Sequence, residues 1–218
     1  MDNYSYGSYN KSDQNEQYIR ITEGCPHNCP YCYEPQEFKV FGIPEIIRNK
    51  VKVMDMNLLA KPQALEIIKE LGTKRVNNKV VYYEFICGID YRFLTQELSD
   101  ALKASRILKI RIAWDWMFKD QYKIRDTIKM LLKSGYAPNK IMIFIICNWK
   151  IPYNENIKKV DLCKVWNVQV SDCWYNNQTM PNVKPINWTY EEIKAFRKIC
   201  RKHNQLVTFK IDPEVKNG

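Results

Sequence analysis

Tyr18-Ile19-Arg20-Ile21, followed by Cys25-Pro26-His27-Asn28-Cys29-Pro30-Tyr31-Cys32, is the stretch on which the reading of this chain turns. A strand-like apolar run feeds a loop broken by two prolines, and the loop carries three thiols at C-x3-C-x2-C spacing. No fourth cysteine follows nearby to complete a tetrahedral set. A structural zinc site is closed by four protein ligands, and an iron–sulfur cube ordinarily takes four thiolates. Three ligands leave one metal corner open, and an open metal position marks a reactive site. A zinc knuckle borrowing His27 or His203 is one alternative, although His27 lies between two of the cysteines, where simultaneous ligation is cramped. A reactive thiol cluster without metal is the other.

Outward from this loop, strand-like and helix-like runs alternate with a period of roughly 30 residues, the size of a strand plus a crossover helix. Strands are expected near 17–22, 51–56, 79–87, 108–114, 140–147 and 167–172. A short helix is expected around Pro44–Lys50. A longer one is opened by Pro62 and stopped by Gly72, with Leu65, Ile68 and Leu71 on one face. Thr95 caps a helix with Leu98, Ala101 and Leu102 inward, and another runs from Asp120 to Gly135. After a helix near 154–166, the last begins at Thr189, with Glu192 completing a capping box and a stripe of Ile193, Phe196 and Cys200. Leu206–Ile211 is read as a seventh strand. Residues 1–16 hold almost no aliphatic side chains and are expected to form a mobile tail, as is 212–218. Six strand–helix units give an α/β fold with a parallel sheet, either doubly wound or wrapped towards a barrel.

At 218 residues the chain has room for one domain with a sizeable core. Its eight cysteines sit in apolar runs and do not read as a disulfide framework. With no signal peptide and no apolar span of membrane length, a cytoplasmic, reducing location and no membrane partner are expected. The formal charge of +10 suits nucleic acid, a phosphorylated substrate or an acidic protein, and equally a set of solvated helix faces.

The aromatic Tyr31 before Cys32 completes a C-x3-C-x-aromatic-C pattern, and the stretch closely resembles the signature of the radical S-adenosylmethionine (radical SAM) superfamily. The resemblance implies a partial (β/α)6 barrel over residues 17–211, without the extra-cluster C-terminal domain of many peptide-modifying relatives. It implies that Cys25, Cys29 and Cys32 ligate a [4Fe-4S] cluster whose fourth iron is chelated by SAM, with Tyr31 near the adenine. Reductive cleavage of SAM to a 5′-deoxyadenosyl radical, which abstracts hydrogen from a substrate, is the implied activity. A low-potential electron donor, flavodoxin or ferredoxin, is the implied partner. Where the family usually carries a Gly-Gly-Glu-like stretch, this chain has Asp55-Met56-Asn57, so the Asp55 carboxylate and Asn57 amide are the candidates for the SAM amino group. Asp115 and Asn148 are placed by the resemblance near ribose or adenine, and Arg111 near the methionine carboxylate.

Chemistry in such folds gathers at strand C-termini. Trp114, Trp116, Trp149 and Trp174 fall near those ends and could stack a nucleobase, which with the basic charge favours a nucleoside or nucleic acid substrate. Cys87, Cys147 and Cys173 also fall there, as hydrogen-atom donors, ligands of a second cluster, or core packing. A non-catalytic zinc or iron–sulfur module that binds nucleic acid, and a degenerate barrel that binds SAM without cleaving it, are the competing functions.

Overall fold

Residues 7–175 and 185–209 are described by the computed structural model of the chain, and the inner strands of its larger sheet pair in parallel. The residues divide into two units: the chain up to Arg111 with Lys133–Gly135, and Ile112–Leu132 with the chain from Tyr136 onward.

The first unit contains β1 (Tyr9–Ser12), β2 (Gln17–Arg20), β3 (Thr22–Glu23), β4 (Lys39–Val40), β5 (Lys50–Val53), α1 (Ala64–Thr73), β6 (Arg75–Val76), β7 (Lys79–Val80), β8 (Tyr82–Phe85) and α2 (Gln96–Ala104). Its sheet runs β1-β2-β5-β8, with β2, β5 and β8 parallel and Ile19, Val53 and Phe85 in register. Strand alternation sends Ile19, Val51, Val53, Tyr83 and Phe85 into the core. It leaves Tyr18, Lys52 and Glu84 as neighbours on the opposite, part-exposed face. There Lys52 pairs with Glu84 and, at 3.5 Å, with Glu16, while Arg111 reaches Glu84 at 2.8 Å. Helix α1 buries Ala64, Ile67, Ile68 and Leu71, and α2 buries Ala101 and Leu102 behind a Thr95 cap that accepts from the Leu98 N–H.

The second unit takes up the end of β9 (Ile110–Ala113), then α3 (Gln121–Lys133, but for its last residue), β10 (Ile141–Cys147), α4 (Tyr153–Val165), β11 (Gln169–Trp174) and α5 (Tyr190–Phe209). Its sheet runs β11-β10-β9, and β10 and β11 are parallel. The capping box forms as expected: the Thr189 N–H donates to Glu192 Oε2 at 2.7 Å, and the Glu192 N–H donates to Thr189 Oγ1 at 3.2 Å. The fold is therefore α/β with parallel strands, and among the described residues no strands close into a barrel.

Several local expectations are corrected. No helix forms at 44–50, because the Gln17 side chain holds that backbone extended by bonds to the Glu45 carbonyl and the Ile47 N–H. The single strand expected at 79–87 is two, since Asn77 and Asn78 take positive φ (50° and 61°) and fold β6 onto β7 as a hairpin. Gly72 does not stop α1. It lies inside the helix, where a Cβ would come within 2.7 Å of Ser105 Oγ. Within the stretch read as a tail, residues 9–12 form β1 and pair antiparallel with β2. Residues 206–209 continue α5 as helix, not strand, while 210–211 of that expected strand, residues 1–6 and the expected tail 212–218 lie outside the described residues.

Candidate cofactor site

The three cysteines sit on a loop whose two ends are zipped together. Thr22 pairs with Val40 and Glu23 with Lys39, so the chain leaves the sheet and returns across a two-residue ribbon. Gly24 begins the loop at φ 96°, with the Glu37 carbonyl 2.1 Å from where a Cβ would stand, so only glycine fits. The Cys25 N–H donates to the Pro35 carbonyl at 2.8 Å and the Cys32 N–H to the Cys29 carbonyl at 2.9 Å. All three thiols are free and part exposed. Burial raises the Cys32 thiol above its ordinary range, with the nearby Cys29 and Cys25 adding to the effect.

Below the loop lies a buried ionic clamp that sequence reading missed. Glu34 has both carboxylate oxygens 2.8 Å from Arg20 Nη2, and its Oε1 accepts from the Gly24 N–H at 2.7 Å. Arg20 Nε donates to the Thr22 carbonyl, and Glu23 stands 3.8 Å away. Asp55 completes the clamp. It accepts from the Ile21 and Thr22 N–H groups and from Thr22 Oγ1, at 2.6–2.8 Å. Its side chain thus fixes the strand end that carries the loop.

Asn57 behaves differently. Its Nδ2 donates to Cys25 Sγ at 3.3 Å and to Asp90 Oδ2 at 3.2 Å, while its Oδ1 is buried with no hydrogen-bond partner. Asp90 also binds Arg92 through two side-chain bonds and stands 2.9 Å from His27 Nε2, without the alignment of a hydrogen bond. His27 is thereby turned to Asp90. His203, in the second unit, is bonded to the Val168 carbonyl. Among the described residues, no three His, Cys, Asp or Glu side chains gather around a single-ion position.

Beside the loop, a cavity of about 260 Å³ opens at the C-terminal ends of β2, β5 and β8. Arg20, Met54, Met56 and Cys87 line it from the strand ends, Tyr33 and Glu34 from the loop, and Tyr9 from β1. Burial lifts the Cys87 thiol to about 11, so it stays protonated at neutral pH.

Of the residues expected to meet SAM, Cys25, Cys29, Cys32, Tyr31, Asp55 and Asn57 share this end of the first unit. Arg111 is in the same unit, but its guanidinium is engaged by Glu84 and the Phe85 carbonyl. Asp115 and Asn148 belong to the second unit. There Asn148, at φ 61° and fully buried, organises a loop: its Oδ1 accepts from the N–H groups of Ile186, Asn187 and Trp188. The tryptophan platform is also corrected. Trp114 is buried against Phe118 and Trp166, Trp149 is buried against Tyr175, and Trp174 packs on Trp188 and Phe196. Apolar packing has taken Trp114 and Trp149 into the core, while Trp174 and Trp116 stay part exposed. Cys147 is likewise core, fully buried.

Three thiols outside any disulfide therefore share one pinned loop with a cavity adjoining it. No protein-family model matches the chain, and no curated protein matches its sequence. Among solved structures, the fold is similar to that of the radical S-adenosylmethionine methyltransferase TsrM from Kitasatospora setae, determined with cobalamin and a [4Fe-4S] cluster bound. The TM-score is 0.57 at 11% identity, over 72% of this chain. The likeness spans 36% of the TsrM chain, about a third of its length. No helix among the described residues is long and apolar enough to cross a membrane.

Proposed function

We propose that this chain is a radical SAM enzyme of the cytoplasm built on a partial (β/α)6 barrel, with Cys25, Cys29 and Cys32 as the three ligands of a [4Fe-4S] cluster. The observation that carries this reading is the cysteine loop itself, three unpaired thiols pinned at the end of a parallel strand beside an open cavity. When bound, the cluster supplies one electron to the sulfonium of SAM, releasing methionine and a 5′-deoxyadenosyl radical for hydrogen abstraction.

The chain's own residues position and shield. Asn57 presents its unpartnered Oδ1 to the amino group of SAM, held in place by its bond to Cys25 Sγ. Asp55 supports the site from beneath, by fixing Ile21 and Thr22. Tyr31, next to Cys32, faces the adenine in this reading. Arg111 serves through the ladder Glu16–Lys52–Glu84–Arg111, whose alternating charges line the part-exposed face of the sheet and favour a polar substrate. For a nucleoside or nucleic acid, the half-exposed rings of Tyr9 and Tyr33 at the cavity take over the stacking role first given to the tryptophans. A low-potential flavodoxin or ferredoxin delivers the electron, and the +10 charge favours such an acidic partner.

Anaerobic reconstitution with iron and sulfide, reduction with dithionite and addition of SAM test the reading. The parent chain yields 5′-deoxyadenosine and Cys29→Ala yields none. Product that persists unchanged in Cys29→Ala refutes the cluster ligation. A brown parent that binds SAM but stays inert, with candidate substrates present, points to the barrel that binds without cleaving.

A further inference from the structure

Lys61 lies under the cysteine loop with 3% of its surface exposed. It closes the short turn Leu58–Ala60, its own N–H donating to the Leu58 carbonyl, so the backbone beneath it is fixed. Its ammonium donates to the carbonyl of Gly24, the residue before Cys25, and stands 4.1 Å from the centroid of the Phe38 ring. Among the described residues no carboxylate oxygen lies within 4.0 Å of it. Glu34 and Asp55 act on it electrostatically from farther off. Both carboxylates are committed elsewhere, Glu34 to Arg20 and the Gly24 N–H, and Asp55 to Ile21 and Thr22.

An ammonium taken out of water without a counter-ion is costly, and one carbonyl and one ring offset that cost only in part. Arg20, on the strand that leads into the loop, shows the contrasting arrangement, a buried cation neutralised by its own glutamate. Lys61 stands beneath the residue before Cys25 without a carboxylate in contact, and an anion at the thiols is what completes it. We propose that Lys61 is the counter-charge of the metal centre held by Cys25, Cys29 and Cys32, stabilising the electron added on reduction. A cation beside a redox group favours the state with one more negative charge, so Lys61 raises the midpoint potential. The proposal rests on reading the three thiols as ligands of an anionic iron–sulfur centre.

Two variants, Lys61→Met and Lys61→Arg, test it in two states of the protein. In the metal-free, reduced chain, Lys61→Met removes a buried charge that has no partner, so melting followed by far-ultraviolet circular dichroism rises by about 2–4 °C. In the chain loaded anaerobically with iron and sulfide, potentiometry followed by electron paramagnetic resonance gives a more negative midpoint for Lys61→Met, while Lys61→Arg stays near the parent. A lower melting temperature for metal-free Lys61→Met makes the lysine a structural brace and overturns the proposal. An unchanged midpoint in a fully loaded Lys61→Met also overturns it. A parent chain that takes up no iron overturns the functional reading instead.

Discussion

Glu34→Gln is the substitution that bears most directly on how the cysteine loop is held. The Glu34 side chain is 1% exposed and accepts from Arg20 Nη2 with both oxygens at 2.8 Å. The amide keeps the shape and one acceptor oxygen but loses the charge, and leaves Arg20 with Glu23, at 3.8 Å, as a more distant counter-ion. Breaking a buried pair by removing one partner costs about 3–5 kcal/mol. The surviving acceptor and Glu23 place this case at the lower end, about 3 kcal/mol. With a urea dependence of about 2–3 kcal/mol per molar, the unfolding midpoint falls by roughly 1–1.5 M. All six tryptophans follow residue 111, so fluorescence reports the second unit. The first unit is therefore followed by circular dichroism and by amide exchange over residues 20–41, in metal-free protein under reductant. The double variant Arg20→Met with Glu34→Met recovers most of the loss, because two apolar side chains replace a buried pair at little net cost. A loss below about 1 kcal/mol for Glu34→Gln, or a double variant worse than the single, refutes the clamp as the source of the loop's rigidity.

Two further outcomes follow from the geometry. Asn57→Ala removes an unpartnered acceptor beside Cys25. On the proposed function, it weakens SAM binding to the loaded chain at least about tenfold in equilibrium dialysis, the loss of one bond to a charged group, and unchanged affinity sinks the assignment of Asn57. The second unit loses stability in alkali: burial holds Cys147, Cys163, Cys173 (to about 12) and Cys200 above the ordinary thiol value of 9.0, so above that pH the unfolded chain gives up four protons that the folded one keeps. Lys159, lowered by burial to about 8, works in the opposite sense with one proton, and the net loss nears ~4 kcal/mol per pH unit by pH 10. Tryptophan fluorescence in urea under reductant at pH 8 and pH 10 measures it, and a stability that holds or rises excludes the thiol explanation.

What the sequence discloses, and what it hides, divides along the range of the interactions. The cysteine spacing is legible because its chemistry is local, three ligands within eight residues. The clamp is not, because Arg20 finds Glu34 fourteen positions away and Lys61 finds Gly24 thirty-seven away, with no periodicity to mark either pair. Asp55 shows the same limit in another form. A carboxylate at a strand end can bind a ligand or brace the backbone, and only its three bonds to Ile21 and Thr22 separate the two. The end of α5 shows local preference losing to cooperativity. Leu206-Val207-Thr208-Phe209 has the composition of a strand, yet the buried stripe of Ile193, Phe196, Cys200, His203 and Val207 keeps helical spacing through it. Extending a helix already started at the Thr189 capping box adds one backbone bond for each residue fixed, whereas a new strand there would need a paired edge. The same weighing explains the tryptophans. Rings at strand ends mark a binding mouth only if water reaches them, and Trp114 and Trp149 contribute more to the fold by leaving water than they would by waiting for a base.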